Sequence, residues 1–208
     1  MSEDKINNRE AQKIENLFKE SITTKQKIIE LGVSDIVKIG RAITDALKNG
    51  HKLMLCGNGG SAADAQHLVA EMLVRLRPKN NREAIPAITL AQDTSTITAC
   101  GNDFGYDELY RRMVFALGQK GDCLIAITTS GNSENIIKAM QAATEKGIKV
   151  FGFLGSGGGR ALALCDEAFV VPSDNTGRIQ ESHITAGHAL MEYIEDRLLE
   201  CGHLHLEI

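Results

Sequence analysis

The chain has 208 residues, 43% hydrophobic and 24% charged, with a formal net charge of −4. That length suits one domain with a substantial core. The acidic balance gives no footprint for nucleic acid, and no apolar run reaches the ~20 residues of a membrane span. The start, MSEDKINNRE, lacks the apolar centre of a secretory signal. Five scattered cysteines, Cys56, Cys100, Cys123, Cys165 and Cys201, form no CxxC pair. They read as reduced, buried thiols of a cytoplasmic protein.

Residues 1–50 read as a helical pair belonging to the same domain as the core at 51–208. Ile14, Leu17, Phe18, Ile22, Ile28 and Ile29 keep near-helical spacing up to Gly32. Ser34 is placed to cap a second helix carrying Ile36, Ile39, Ile43, Ala46 and Leu47, stopped by Gly50. Faces this apolar must pack on the main domain or on another subunit.

After Gly50 short apolar runs at 52–56, 87–91, 123–128, 149–154 and 167–171 alternate with helical patterns at 62–76, 135–146 and 179–199. This predicts an α/β fold, a parallel sheet with helices on both faces. The basic segment RPKNNR at 77–82 is expected to be a solvated surface loop.

Ligands of such sheets sit beyond the carboxyl ends of the strands. Three glycine- and hydroxyl-rich turns fall there: Gly57-Asn58-Gly59-Gly60-Ser61, Thr128-Thr129-Ser130-Gly131-Asn132-Ser133 and Gly155-Ser156-Gly157-Gly158-Gly159. In the second, Ser133 can cap a helix whose first-turn amides, with the hydroxyls of Thr128, Ser130 and Ser133, suit a phosphate dianion. No GxxxxGK[ST] or GxGxxG pattern accompanies it, which points away from nucleotides and towards a small phosphate ester. An ordinary serine-rich helix start gives the same pattern for any one of these turns.

His67 and Glu71, four apart, project from one helix face. A later helix carries Gln180, Glu181, His183 and His188, and Gln180 and His188 are ~80° apart around its axis. His67, Glu71, Gln180 and His188 suit a divalent metal such as zinc, or a carboxylate base with an imidazole acid. His67 with Glu71 also suits a plain surface ion pair. The terminal His203-x-His205 reads as a solvated tail or a short metal clip. Asn102-Asp103 is expected in a polar turn between the second and third strands, as a helix cap or a contact for substrate hydroxyls.

Taken together, CGNGGSAADAQHLVAEM, CGNDFGYDE, TTSGNSENIIKAM and VPSDNTGRIQESHITAGH resemble the bacterial phosphoheptose isomerases, a family of sugar-isomerase (SIS) domains, over nearly the whole chain. The resemblance implies a single SIS domain with a five-stranded parallel sheet, assembled as a homotetramer through the N-terminal helices. It implies conversion of sedoheptulose 7-phosphate to D-glycero-D-manno-heptose 7-phosphate through a cis-enediol, the first step towards ADP-heptose. Carried over, the substrate positions are Asn58, Gly59, Gly60, Glu71, Asn102, Asp103, Thr128, Thr129, Ser130, Ser133 and Gln180. The zinc ligands are His67, Glu71, Gln180 and His188, and the acid/base pair is Glu71 and His188. The sequence departs at Asn175-Thr176-Gly177, where some members carry an acid, and at Ala62-Ala63, where some carry His-Cys. Two other readings stand beside this one: an isomerase of another sugar phosphate, and a non-catalytic SIS tetramer that binds the replication initiator. Retention of His67, Glu71, Gln180 and His188 argues against the adaptor.

Overall fold

The computed structural model describes residues 3–90 and 93–206. Two helices, α1 (Glu3–Leu31) and α2 (Ser34–Lys48), precede five strands: β1 (Leu53–Gly57), β2 (Ala87–Thr89), β3 (Cys123–Thr128), β4 (Lys149–Leu154) and β5 (Glu167–Val170). Helix α3 (Gly60–Ala70) follows β1 and runs on as a π-helical turn, Glu71–Arg75. Helices α4 (Thr94–Asp103) and α5 (Leu109–Leu117) lie between β2 and β3, α6 (Glu134–Glu145) follows β3, and α7 (Thr176–Glu200) closes the chain. All strand pairings are parallel, in the order β2-β1-β3-β4-β5.

Alternation along the strands builds two cores. Leu53, Leu55, Cys123, Ile125, Ile127, Phe151 and Phe153 face a layer made by α2, α3 and α7. Met54, Cys56, Leu124, Ala126, Val150 and Leu154 face α5 and α6 on the other side. Cys56 and Cys123 are buried, and burial pushes both thiols up to about 12. They therefore serve as small apolar residues. Among the described residues no helix is long and apolar enough to cross a membrane.

Several boundaries differ from expectation. The second strand covers Ala87–Thr89 only, and residues 91–92 lie outside the described residues. Ser34 begins α2, with Val33 at the cap position and no side-chain cap bond. Helices α4 and α5 were not legible: TSTITACGND is rich in poor helix formers, and only the Asp93 carboxylate, accepting from Thr96 N–H at 2.7 Å, marks its start. Asn102 and Asp103 consequently end a helix instead of forming an inter-strand turn.

Segment 77–82 keeps Pro78, Lys79 and Asn81 exposed, as expected of a solvated loop, but its two arginines are drawn inward. Arg82 is 6% exposed and its Nε donates to Glu195 Oε2 at 2.9 Å. Arg77 Nε donates to Glu195 Oε1 at 2.8 Å, and Asn80 Nδ2 donates to the same oxygen. Burial alone would raise the Glu195 carboxyl, but bonds from Arg82, Asn80 and Arg77 outweigh it and hold the group below its usual range. The partners are more than a hundred residues apart in sequence, so nothing local announces them.

His183 is 1% exposed, between Phe153 and Phe169, with Nε2 3.1 Å from the Leu154 carbonyl. Burial lowers its pKa to about 4. Because the folded value lies below the unfolded one, His183 withholds nothing above about pH 6.5 and removes stability as pH falls from there towards 4. We expect unfolding free energy to fall by about 3 kcal/mol more over that window in the wild type than in His183→Leu, read by urea titration at each pH. Equal slopes would show that His183 is not held neutral by the fold.

Candidate active site

The order β2-β1-β3 makes the gap between β1 and β3 the switch point of the sheet, where chain connections leave in opposite directions and a crevice opens beyond the strand ends. Residues 57–61 leave β1 there and residues 128–133 leave β3. Tyr110, buried on α5, donates its hydroxyl to the Gly57 carbonyl and so ties the far side of the crevice to β1.

In the turn after β3, Thr128 Oγ1 and Ser133 Oγ are 3.4 Å apart. Ser133 occupies the cap position of α6 but makes no side-chain cap bond, so its hydroxyl is not spent on the helix. Ser130 closes the turn by accepting from Asn132 N–H at 3.2 Å. The turn after β4 docks on it, with Ala161 N–H donating to the Gly131 carbonyl at 2.9 Å and Arg160 N–H to Asn132 Oδ1 at 3.1 Å. Two of the three expected turns therefore form one structure.

Helices α3 and α7 carry the candidate side chains His67, Glu71 and His188. They approach closely because Gly187 lacks a side chain: a Cβ there would stand 2.6 Å from Leu68 Cδ1. A histidine adjoins each contact residue, His67 just before Leu68 and His188 just after Gly187. Their Nε2 atoms are 2.8 Å apart and the rings meet edge to face. His67 Nε2 is 3.4 Å from Glu71 Oε1, and one ligand atom from each of His67, Glu71 and His188 fits within 4.8 Å. Glu71 stands where α3 widens into the π turn, and its side chain is 15% exposed. Arg82 Nη2 donates to the Glu71 carbonyl at 2.7 Å and Nη1 to the Met72 carbonyl at 2.8 Å. Two carbonyls of the helix's last turn thus face a cation, which suits the negative end of the helix dipole.

Gln180 lies two turns before His188 and packs on Gly60, where a Cβ would meet Gln180 Nε2 at 2.5 Å. Asn58 pairs with Asn135 and receives a bond from Tyr106. Gly59 and Gly60 are exposed at the start of α3, and Thr129 is half-buried after β3. Asn102 and Asp103 are exposed and bonded to each other at 2.7 Å, outside the imidazole-carboxylate group. His203 and His205 join no three-residue His/Cys/Asp/Glu group among the described residues.

Sequence reasoning passes over Asp64, one helical turn before His67. Its Oδ2 is buried without a hydrogen-bond partner, and burial raises its pKa against the pull of His67 and His188. A carboxyl one turn before a paired His and Glu was the available signal.

A family model described as SIS domain matches residues 16–155. The chain is 46% identical over 189 residues to the phosphoheptose isomerase of Aquifex aeolicus, covering 91% of this chain and 98% of the relative. With the phosphoheptose isomerase of Nitratiruptor it shares 55% identity over 152 residues, 73% of this chain and 80% of the relative. The chain belongs to the phosphoheptose isomerases of the SIS-domain family. The solved structure of phosphoheptose isomerase GmhA from Neisseria gonorrhoeae superposes with a TM-score of 0.83 at 40% identity, covering 89% of this chain and 98% of that one. A phosphoheptose isomerase from Francisella tularensis gives 0.86 at 36% identity, covering 90% and 98%.

Proposed function

We propose that this chain is an aldose–ketose isomerase converting sedoheptulose 7-phosphate to D-glycero-D-manno-heptose 7-phosphate, the first step of ADP-heptose formation. The observation that carries the reading is the meeting of His67, Glu71 and His188 from two helices, in a member of the phosphoheptose isomerases. The phosphoryl end belongs with the hydroxyls of Thr128, Ser130 and Ser133 at the start of α6, beside Thr129. Asn58, Gly59, Gly60, Asn102, Asp103 and Gln180 are assigned to the rest of the sugar. Anchoring the far end lets binding energy hold C1 and C2 against the reactive groups.

Glu71 takes a proton from C1 while O2 gains one, which gives the cis-enediol. O1 then releases its proton as C1 becomes the carbonyl, and Glu71 returns the carbon-bound proton to C2. His188 serves the hydroxyl protons. The donor chemistry also fits a divalent metal: two imidazole nitrogens and a carboxylate oxygen within 4.8 Å match zinc's preferences. His67, Glu71 and His188 would hold it, with Gln180 as the fourth ligand. Zinc bound there would supply a Lewis acid that polarises the substrate carbonyl.

The apolar face of α1 supports the assembly we assign, a homotetramer. Ile14, Phe18, Ile22 and Ile29 are 54%, 69%, 56% and 72% exposed, too apolar a stripe to leave wet. Five free cysteines support a cytoplasmic setting.

Glu71→Gln should lower turnover of sedoheptulose 7-phosphate by a factor of at least ~100 while leaving the circular dichroism spectrum intact. Wild-type turnover in that variant would remove Glu71 from the role of base. Faster turnover of fructose 6-phosphate than of the heptulose would redirect the substrate assignment. Elemental analysis should find about one zinc per chain, and chelation should abolish turnover until zinc is restored. Activity untouched in metal-free protein would end the zinc assignment. Light scattering should return the mass of four chains; a single-chain mass at working concentration would exclude the tetramer.

A further inference from the structure

We propose that Tyr106 is a positioning residue for the sugar phosphate, acting through the side-chain amide of Asn58. The inference rests on the functional reading above, which puts Asn58 against the sugar. It begins at a group whose role admits no choice. The backbone N–H of Ile136 can only donate, and it lies 3.0 Å from one terminal atom of the Asn135 side chain. That atom must be the amide oxygen, since the nitrogen would present hydrogens to a hydrogen. The Asn135 nitrogen then donates to Asn58 Oδ1 at 2.9 Å, and Asn58 Nδ2 donates back to Asn135 Oδ1 at 2.9 Å. The Tyr106 hydroxyl stands 2.9 Å from the same Asn58 Oδ1 and must therefore be a donor. One backbone amide thus dictates the orientation of three side chains, drawn from the turn after β1, the start of α6 and the segment after α4.

Counting valences gives the consequence. Asn58 Oδ1 has two lone pairs, taken by Asn135 and Tyr106. Asn58 Nδ2 has two hydrogens and commits one to Asn135, so a second N–H remains for a ligand. Asn135 is 2% exposed and stays in place, whereas Tyr106 is 49% exposed and reaches the amide from the solvent side. Without the hydroxyl, Asn58 loses one of the three hydrogen bonds that set its amide and keeps only the pair to Asn135, so its spare donor is held less firmly. The sequence hides the device, because Tyr106 is 48 residues from Asn58 and Asn135 is 77.

The test is a double-mutant cycle on purified full-length protein with sedoheptulose 7-phosphate. Tyr106→Phe, which keeps the ring and deletes the hydroxyl, should raise KM about 3- to 10-fold and leave kcat within about twofold. Its melting temperature should match the wild type, because the group is half exposed. In an Asn58→Ala background the same substitution should change KM no further, since its effect passes through the missing amide. Three results would each overturn the proposal: an unchanged KM, KM effects that multiply in the double variant, or a melting temperature that falls in step with the rise in KM. Wild-type protein that fails to turn over the heptulose would instead overturn the functional reading, and this inference with it.

Discussion

Everything at the candidate site depends on how closely α7 can lie on α3. The contact is made by Gly187 against Leu68, and a Cβ on Gly187 would stand 2.6 Å from Leu68 Cδ1, so the leucine side chain would have to move. Because His67 immediately precedes Leu68 and His188 immediately follows Gly187, the close approach brings two imidazoles to 2.8 Å. A helix pair separated by ordinary side chains runs 8–10 Å between axes, and a small residue at the contact sets the lower end of that range. Chemistry here is a consequence of packing at one point.

A second constraint holds Glu71 in register with that crossing. The helix carrying it widens and ends within one turn. Arg82 bonds the Glu71 and Met72 carbonyls and at the same time meets Glu195 on α7, seven residues beyond His188. Buried ion pairs are weak evidence for stability, because desolvation cancels much of the attraction. What the bonds of Arg82 do show is a tie: one guanidinium joins the Glu71 backbone to Glu195 on the helix that bears His188.

The turns beyond β1 and β3 contribute in another way. They lie where the strand order reverses, so their loops diverge and leave a crevice between helix starts. Hydroxyls of Thr128 and Ser133 gather on one side of it, the Asn58–Asn135 pair links both sides, and Gln180 reaches in across Gly60. Polar groups with leftover hydrogen-bonding capacity at the rim of a tightly packed sheet are suited to an anionic sugar.

Much of this was legible from the chain alone. Short continuous apolar runs gave the β3 and β4 boundaries, their alternation with period-3.6 segments gave the α/β class, and the spacing of His67 and Glu71 put both on one helix face. Short-range rules suffice for such features, because neighbours in sequence are neighbours on a helix or strand. The same rules failed for α4 and α5, whose residues favour helix weakly and fold against the sheet by burial of Cys100, Leu109, Tyr110 and Val114. They also failed for segment 77–82, which looks solvated until Glu195 is brought beside it. The residue types needed for a metal and for proton transfer were therefore written in the sequence. Which of them meet, at what distance, and what holds them there was decided only by the fold, since hydrogen bonds and ion pairs between residues 48 to 121 apart leave no periodic trace.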